Sequence, residues 1–514
     1  MAKKSKKPSA PSAPPKPTCL KCGFISSHPQ TKREPPHPRL KALLSTNAPL
    51  LEAEKTSFHK AKEDLPLVIS DLDERIMQTQ QLLHALMEER AQAAVDLRHA
   101  KAVLHPMRAL PDDILCEIFI YNTPTWDEMA EAGRRLAFYD SLDARSGPWV
   151  LAQVCRNWRS VALSMPSLWS CISLDFNVYF RQRDRPADVA LQLALHLQRA
   201  RRSPLSIRIE SMSDINLHSA FPIVLSSMSQ WRHLHIRTPV SSFHELGRCK
   251  AFLESLEEVH IDASIFPIQT QDIETFKMAS NLRQLKLYEN GHFYHHNLHL
   301  GWSQLTHLFA RIDSDGIFRY FKELKNLVSL RLIFPSGPRK LDVSRRISLP
   351  KVQYLSLRRR GSAHMVNTVA GVFDMLDLPS LRMVTFGATE IDGGTMLLDL
   401  PTSLSYPYRQ LDAMSLEYPK YDLTVPVNKS RFLNILSQVS DVTQLSLDAQ
   451  NIGADVIKKL TPTDDVNYFP RLNTINFYHS TFTVSQKVVQ DMLEARKKFA
   501  DASTGGGLVE SRTG

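Results

Sequence analysis

Residues 231–237 read Trp-Arg-His-Leu-His-Ile-Arg, with Leu234 and Ile236 two positions apart between polar neighbours. A period of two with one apolar face marks a half-buried β-strand. The pattern returns as Ile207/Ile209, Val259/Ile261, Leu285/Leu287, Leu308/Ala310, Leu330/Leu332, Leu355/Leu357, Val384/Phe386, Met414/Leu416, Leu445/Leu447 and Ile475/Phe477, at steps of 22 to 31 residues. Most pairs also have an apolar residue three positions before the first member, as Trp231 precedes Leu234 and Leu327 precedes Leu330. Amphipathic pieces at 272–278, 364–376, 431–439 and 454–460 fall between the strands. One strand-and-helix unit cannot bury its own apolar side, so the units are expected to stack with their strands parallel.

The spacing is that of leucine-rich repeats. It predicts an α/β solenoid over 172–499, ending in a helix from Val484 to Phe499 with Val488, Met492 and Leu493 inward. Residues 500–514, rich in Gly and Ser, are expected to be loose. A solenoid of this type binds with its concave face, to which alternate strand residues point. In the first strands from Leu234 onward those positions hold His233, His235, Arg237, His260, Lys286, Tyr288, His307, Phe309, Arg311, Arg331, Tyr354 and Arg358, opposed by Glu258 and Asp262. In the last four strands they hold Glu417 and Asp448 and no basic residue. A basic, aromatic trough suits an acidic or phosphorylated protein segment. The bland alternative is that these are ordinary solvated strand residues and that loops do the binding.

Upstream, Leu110-Pro111-Asp112-Asp113-Ile114-Leu115-Cys116-Glu117-Ile118-Phe119 opens a short helix, with Pro at its first turn and acids at its positive end. Val154-Cys155-Arg156-Asn157-Trp158-Arg159 and Pro166-Ser167-Leu168-Trp169-Ser170 follow. Their apolar faces exceed what two short helices can bury between themselves. These three pieces, in this order, resemble an F-box, the module by which substrate receptors dock on the Skp adaptor of cullin ubiquitin ligases. The resemblance covers residues 106–171 and departs from the compact pattern at 121–150, read as an inserted loop or short helix. It implies adaptor contacts through Leu110, Pro111, Ile114, Leu115, Ile118, Phe119, Val154 and Trp158. The irregular repeat length and the scarcity of Asn at the turns resemble the divergent repeats of F-box proteins.

Residues 65–105 carry Ile69, Leu72, Ile76, Leu83, Leu86, Ala93, Leu97, Ala100 and Leu104 in a 3–4 alternation, with Thr79 and Arg90 as misfits. A long coiled-coil-like helix is expected. It either self-pairs, making a homodimer through 65–105, or lies back on the F-box or the repeats. Residues 1–64, rich in Lys, Pro and Ser, are expected to be a disordered tail, with no apolar stretch for a secretory signal. Residues 1–62 hold thirteen Lys and Arg against three Glu, which is the whole net charge of +10. The remaining charges cancel, which argues against nucleic acid as the partner of the folded body. A nucleic-acid protein anchored by the tail alone is the weaker alternative, and Lys3-Lys4-Ser5-Lys6-Lys7 could serve as a nuclear address.

Cys19 and Cys22 have the spacing of a zinc knuckle, but His28-Pro29 and His37-Pro38 break any helix that would present the histidines, which favours two exposed thiols. His292, His295, His296 and His299 could face one way on a helix, yet Asn290-Gly291 points to a surface loop. Neither Asp392-Gly-Gly nor Gly505-Gly-Gly has the strand-to-helix setting of a phosphate cradle. The isolated cysteines suit a reducing compartment, cytoplasm or nucleus, and no apolar run is long enough to span a bilayer. The expected architecture is α+α/β: a long helix and an all-α F-box, then the solenoid. The expected function is a substrate-recognition subunit of a cullin-type (SCF) ubiquitin ligase, with no catalytic site, metal or cofactor of its own. A non-catalytic scaffold whose F-box-like helices pack internally is the alternative.

Overall fold

The structure, a computed structural model, describes residues 37–504 and 511–513 except 47, 132–138, 182–185, 250–252, 264–271, 289–297, 312–314, 335–345, 361–367, 390–410 and 464–465. Cys19 with Cys22, the basic cluster at 3–7, His292, His295, His296, Asp392 and Gly505 lie outside the described residues. The chain divides into two compact units, Met1–Ala109 and Leu110–Gly514.

The first unit contains α1 (Leu40–Ser45) and the 52-residue α2 (Glu52–Val103). The long helix therefore starts well before residue 65. Its first turn explains why: Glu54 accepts the Leu51 N–H at 3.0 Å, takes an ion pair from Arg39 at 2.7 Å, and is buried. Capping and helix-dipole complementarity start a helix where apolar periodicity has not begun. Pro66 sits inside α2, and Glu54 is its one buried residue among those described.

In the second unit, α3 (Asp112–Tyr121), α4 (Trp126–Glu131), α5 (Gly147–Val154) and α6 (Arg156–Ser164) precede the sheet. The strands are β1 (Cys171–Asp175), β2 (Leu205–Glu210), β3 (Trp231–Arg237), β4 (Glu258–Asp262), β5 (Gln284–Tyr288), β6 (His307–Arg311), β7 (Ser329–Phe334), β8 (Ile347–Ser348), β9 (Tyr354–Arg360), β10 (Leu376–Asp377), β11 (Met383–Thr389), β12 (Ala413–Asp422), β13 (Gln444–Gln450), β14 (Thr474–Phe477) and β15 (Ser511–Thr513). Between them run α7 (Phe176–Arg181), α8 (Pro186–Ala200), α9 (Phe221–Ser226), α10 (Val240–Arg248), α11 (Thr368–Met375), α12 (Pro426–Gln438), α13 (Ala454–Leu460) and α14 (Gln486–Thr504). Among the described residues, thirteen strands form one open parallel sheet in strict chain order, while β8 and β10 pair separately.

The register follows the sequence pattern. Ile172, Ile207, Leu234, Val259, Leu285, Leu308, Leu330, Leu355, Val384, Met414, Leu445 and Ile475 stand side by side across twelve strands. None is more than 2% exposed. A second buried ladder, from Leu174 to Phe477, runs two residues further on. Burying each such side chain contributes about 2 kcal/mol, so these two ladders are the main stabilising feature of the sheet. The strands also begin alike. The carbonyls of Glu257, Arg283, Thr306, Val328, Gln353, Arg382, Asp412 and Thr443 each accept two N–H groups from the start of the next strand.

Of the expected helical pieces, 368–375 forms α11, 431–438 falls in α12 and 454–460 is α13, whereas 272–278 is a turn with Ile273 bridged to Leu298. At the far end Val489 and Met492 are buried and Val488 is exposed, one position from the expected face. There Arg496 donates to the carbonyls of Leu460 (2.6 Å) and Phe469 (2.8 Å). Burial lowers its pKa to about 10. Within the segment from residue 500, α14 runs on to Thr504 and Ser511–Thr513 pairs with β14 as β15, where edge N–H and C=O groups were open for pairing.

Candidate binding face of the sheet

The face opposite the apolar ladders carries the polar alternates in continuous rows. One row runs Arg208, His235, His260, Lys286, Phe309, Arg331, Ser356, Thr385, Ser415, Ser446, Asn476. The sequence expected one basic trough here. The structure divides it in two.

Over β2 to β4 the face is covered by α4, which belongs to the 121–150 insertion. Thr125 and Glu128 start this helix with a reciprocal capping box: Glu128 accepts the Thr125 N–H at 2.8 Å, and Thr125 Oγ1 accepts the Glu128 N–H at 3.3 Å. Trp126 then stacks on His233 with centroids 5.3 Å apart, tilts against His260 at 5.1 Å, and donates its indole N–H to Glu258 at 3.2 Å. The Met129 carbonyl accepts from Arg208 at 3.0 Å, and Arg208 also pairs with Glu210. His235 and His260 are consequently buried, not presented to a ligand. Burial pushes the pKa of both below the ordinary histidine value, leaving neutral rings at pH 7. Neutral His260 donates Nε2–H to Glu258 at 2.5 Å. Burial alone would raise the Glu258 carboxyl, but the His260 hydrogen bond and the Lys286 ammonium at 3.2 Å outweigh it and hold the pKa well below the usual range. Trp126 and this capping box are what the sequence reading missed, although Thr-x-x-Glu was there to be seen.

From β5 to β9 the larger described side chains of this face reach solvent, while Ser329 and Ser356 between them are buried. Lys286 and Arg311 are part-exposed, Arg331 is exposed, and Tyr288 packs against Phe309 at 5.2 Å. The Arg331 guanidinium lies 4.9 Å above the Tyr354 ring. Gln284, Lys286, His307, Phe309, Ser329 and Arg331 line a depression of about 200 Å³. That is below the usual size of a small-molecule pocket, but it admits a carboxylate or phosphate group. Burial and the nearby Arg331 lower the His307 pKa.

Other basic residues have acidic neighbours, as Lys286 has in Glu258. Arg237 faces Asp262 at 3.5 Å, on the border of an open depression that Asp175, Arg181 and Glu210 also line. Arg358 pairs with Glu417 at 2.5 Å although their strands are not adjacent. The residue between them in register is Gly387 of β11. A Cβ there would stand 2.9 Å from the Glu417 carbonyl and 3.4 Å from Arg358 Cγ, so the missing side chain is what lets the pair close over the strand.

The eight F-box-like residues also divide. Leu115 (1% exposed) and Phe119 (0%) face inward, Phe119 meeting Trp158 with centroids 5.0 Å apart. They are core of the helix pair and not contact surface. Leu110, Ile118 and Trp158 are half-buried, while Pro111, Ile114 and Val154 are exposed. Asn157 donates to Asp112 at 3.2 Å, which places Val154 and Ile114 at the same end of the pair. An aromatic cluster joins α5, the 166–169 turn and α8. Trp149 and Trp169 meet edge-on at 5.2 Å, with the Arg199 guanidinium 4.2 and 4.5 Å from their rings. His196 lies 5.1 Å from Trp169, and burial lowers its pKa to about 4. Residues around Ser141 cover the sheet's first edge: its N–H donates to the Ser173 carbonyl at 3.0 Å, and its hydroxyl accepts the Ser173 N–H at 2.8 Å.

Among the described residues, no three His, Cys, Asp or Glu side chains converge to hold a metal ion, and no helix is long and apolar enough to cross a membrane. No family model matches the chain, and no curated protein matches its sequence.

Proposed function

We propose that this chain is a non-catalytic receptor, built as a leucine-rich-repeat solenoid behind an F-box-like helix pair, that binds an acidic or phosphorylated protein segment and presents it to a cullin-type ubiquitin ligase. The observation that carries the binding half is the stretch from β5 to β9, where the exposed Arg331, the part-exposed Lys286 and His307 border a depression suited to one anionic group. Arginine recognises carboxylate and phosphate through paired donors, and the adjacent aromatic rings add apolar contact. The adaptor half rests on the exposed Pro111, Ile114 and Val154, within pieces that resemble an F-box. The receptor contributes proximity and orientation, not bond-making groups.

Co-purification of the full chain with a Skp adaptor tests this reading. Ile114→Glu combined with Val154→Glu should abolish adaptor binding with an unchanged melting curve, because both side chains already face water. Adaptor retained by that variant, or never captured by the unmodified chain, overturns the ligase assignment. Leu115 is unsuited to the test, since a charge there disrupts the helix pair itself. The second reading, a scaffold that never meets an adaptor, is favoured by the inward packing of Leu115 and Phe119.

A further inference from the structure

Helix α2 keeps its seam uncovered: Ile69, Ile76, Leu83 and Leu86 are 57, 54, 58 and 52% exposed. Leu82 beside them is 60% exposed. Two copies could cover this stripe in either direction, and the charged residues distinguish the directions. A parallel, in-register pair sets Arg90 against Arg90 in the core, where neither charge is neutralised. An antiparallel pair avoids that clash, and its stagger can be chosen by charge. Crossing at Gln81 brings Arg90 of each copy beside Asp73 of the other and Arg75 beside Glu89, four opposite-charge pairs in all. It also packs Leu82 against Leu82 across the two-fold axis, which accounts for an apolar residue just outside the seam. Sliding by one heptad loses both the Arg90–Asp73 and Arg75–Glu89 pairs.

We propose that α2 pairs with α2 of a second copy, antiparallel and crossing at Gln81, so that the full chain is a homodimer. The overlap from Leu65 to Leu97 is about 50 Å long, enough for a stable two-stranded coil. Nothing in this pairing depends on the ligase reading.

The test is sedimentation of the full chain over a range of concentrations. Arg90→Asp and Asp73→Arg should each weaken the dimer about tenfold, since each turns two attractive contacts repulsive. The two changes combined in one chain should return affinity to within a few-fold of the original. Positions 73 and 90 are about 25 Å apart along one helix, so such recovery requires an antiparallel neighbour. A monomer at all concentrations, a trimer, or a double variant weaker than either single one overturns the proposal. Tighter association of Arg90→Asp points to the parallel arrangement and overturns it as well. Both positions are exposed, so circular dichroism should show unchanged helicity.

Discussion

The Trp126 indole donates a hydrogen bond to Glu258, a residue 132 positions further along the chain, across 3.2 Å. This contact joins the segment inserted between the F-box-like helices to the polar face of the sheet. Trp126→Ala should cost about 3 kcal/mol in urea unfolding, the usual range for removing a buried aromatic. Trp126→Phe keeps the ring, loses the N–H donor and should cost about 1 kcal/mol. Hydrogen exchange of residues 122–131 should accelerate in the alanine variant, and unchanged protection there would refute the clamp.

Acid should weaken the joint between α5 and α8, where His196 meets Trp149 and Trp169. The pKa of His196 is about 4 in the folded chain. Its unfolded value is about 6.5. Between those values the unfolded state binds more protons, so the stability His196 contributes is complete above pH 6.5 and is lost as pH falls towards 4. The total is about 3 kcal/mol at most. Melting curves from pH 7 to 4 should be flatter for His196→Phe than for the unmodified chain. Equal slopes would assign the acid sensitivity to other groups, of which buried His235 and His260 shift in the same direction.

Arg496 ties α14 to the end of α13 and to the segment leading into β14 with two charged hydrogen bonds to carbonyls. Arg496→Ala leaves both carbonyls unpaired and should destabilise by about 2–4 kcal/mol. Arg496→Lys cannot reproduce the forked geometry and should recover only part of that. Chemical denaturation of the three proteins gives the ranking, and a lysine variant equal to wild type would contradict it.

Gly387→Ala should destabilise by about 1–2 kcal/mol, the range for a small overpacking. It should also separate Arg358 from Glu417. A charge reversal at Glu417 should then have a smaller effect in the alanine background than in the native one, as read by a double-mutant cycle. Additive effects would show that the pair does not depend on the bare strand.

Arg331→Glu should weaken binding of an acidic or phosphorylated peptide at least tenfold. Arg382→Glu, at an exposed ion pair with Asp412, should leave it unchanged. Fluorescence anisotropy with labelled peptides separates the two, and equal losses would reduce the effect to net charge.

The strands were legible in the sequence because one apolar face and one polar face leave a period of two, and the paired positions found in it are those that meet in the buried ladders. Which residues share the polar face was legible for the same reason. What those residues touch was not. His260 and Arg358 look alike in sequence as basic strand alternates, yet one is buried beneath Trp126 and the other neutralised by Glu417 across Gly387. Both outcomes depend on partners far away in the chain, which no local period records. Likewise Leu115 and Ile114 are adjacent apolar residues, and only helix packing decides that the first is core and the second exposed. The early start of α2 was missed because its signal is a cap formed by Glu54 and not a greasy stripe.

The α4 clamp and the Arg358–Glu417 bridge stand at opposite ends of the exposed strip like bookends. Neighbouring strands are about 4.8 Å apart, so the interval from β5 to β9 is about 14 Å. A chain laid across it fully stretched has room for about four or five residues. An acidic segment of the proposed kind, crossing the strands here, would meet the strip with only those few residues.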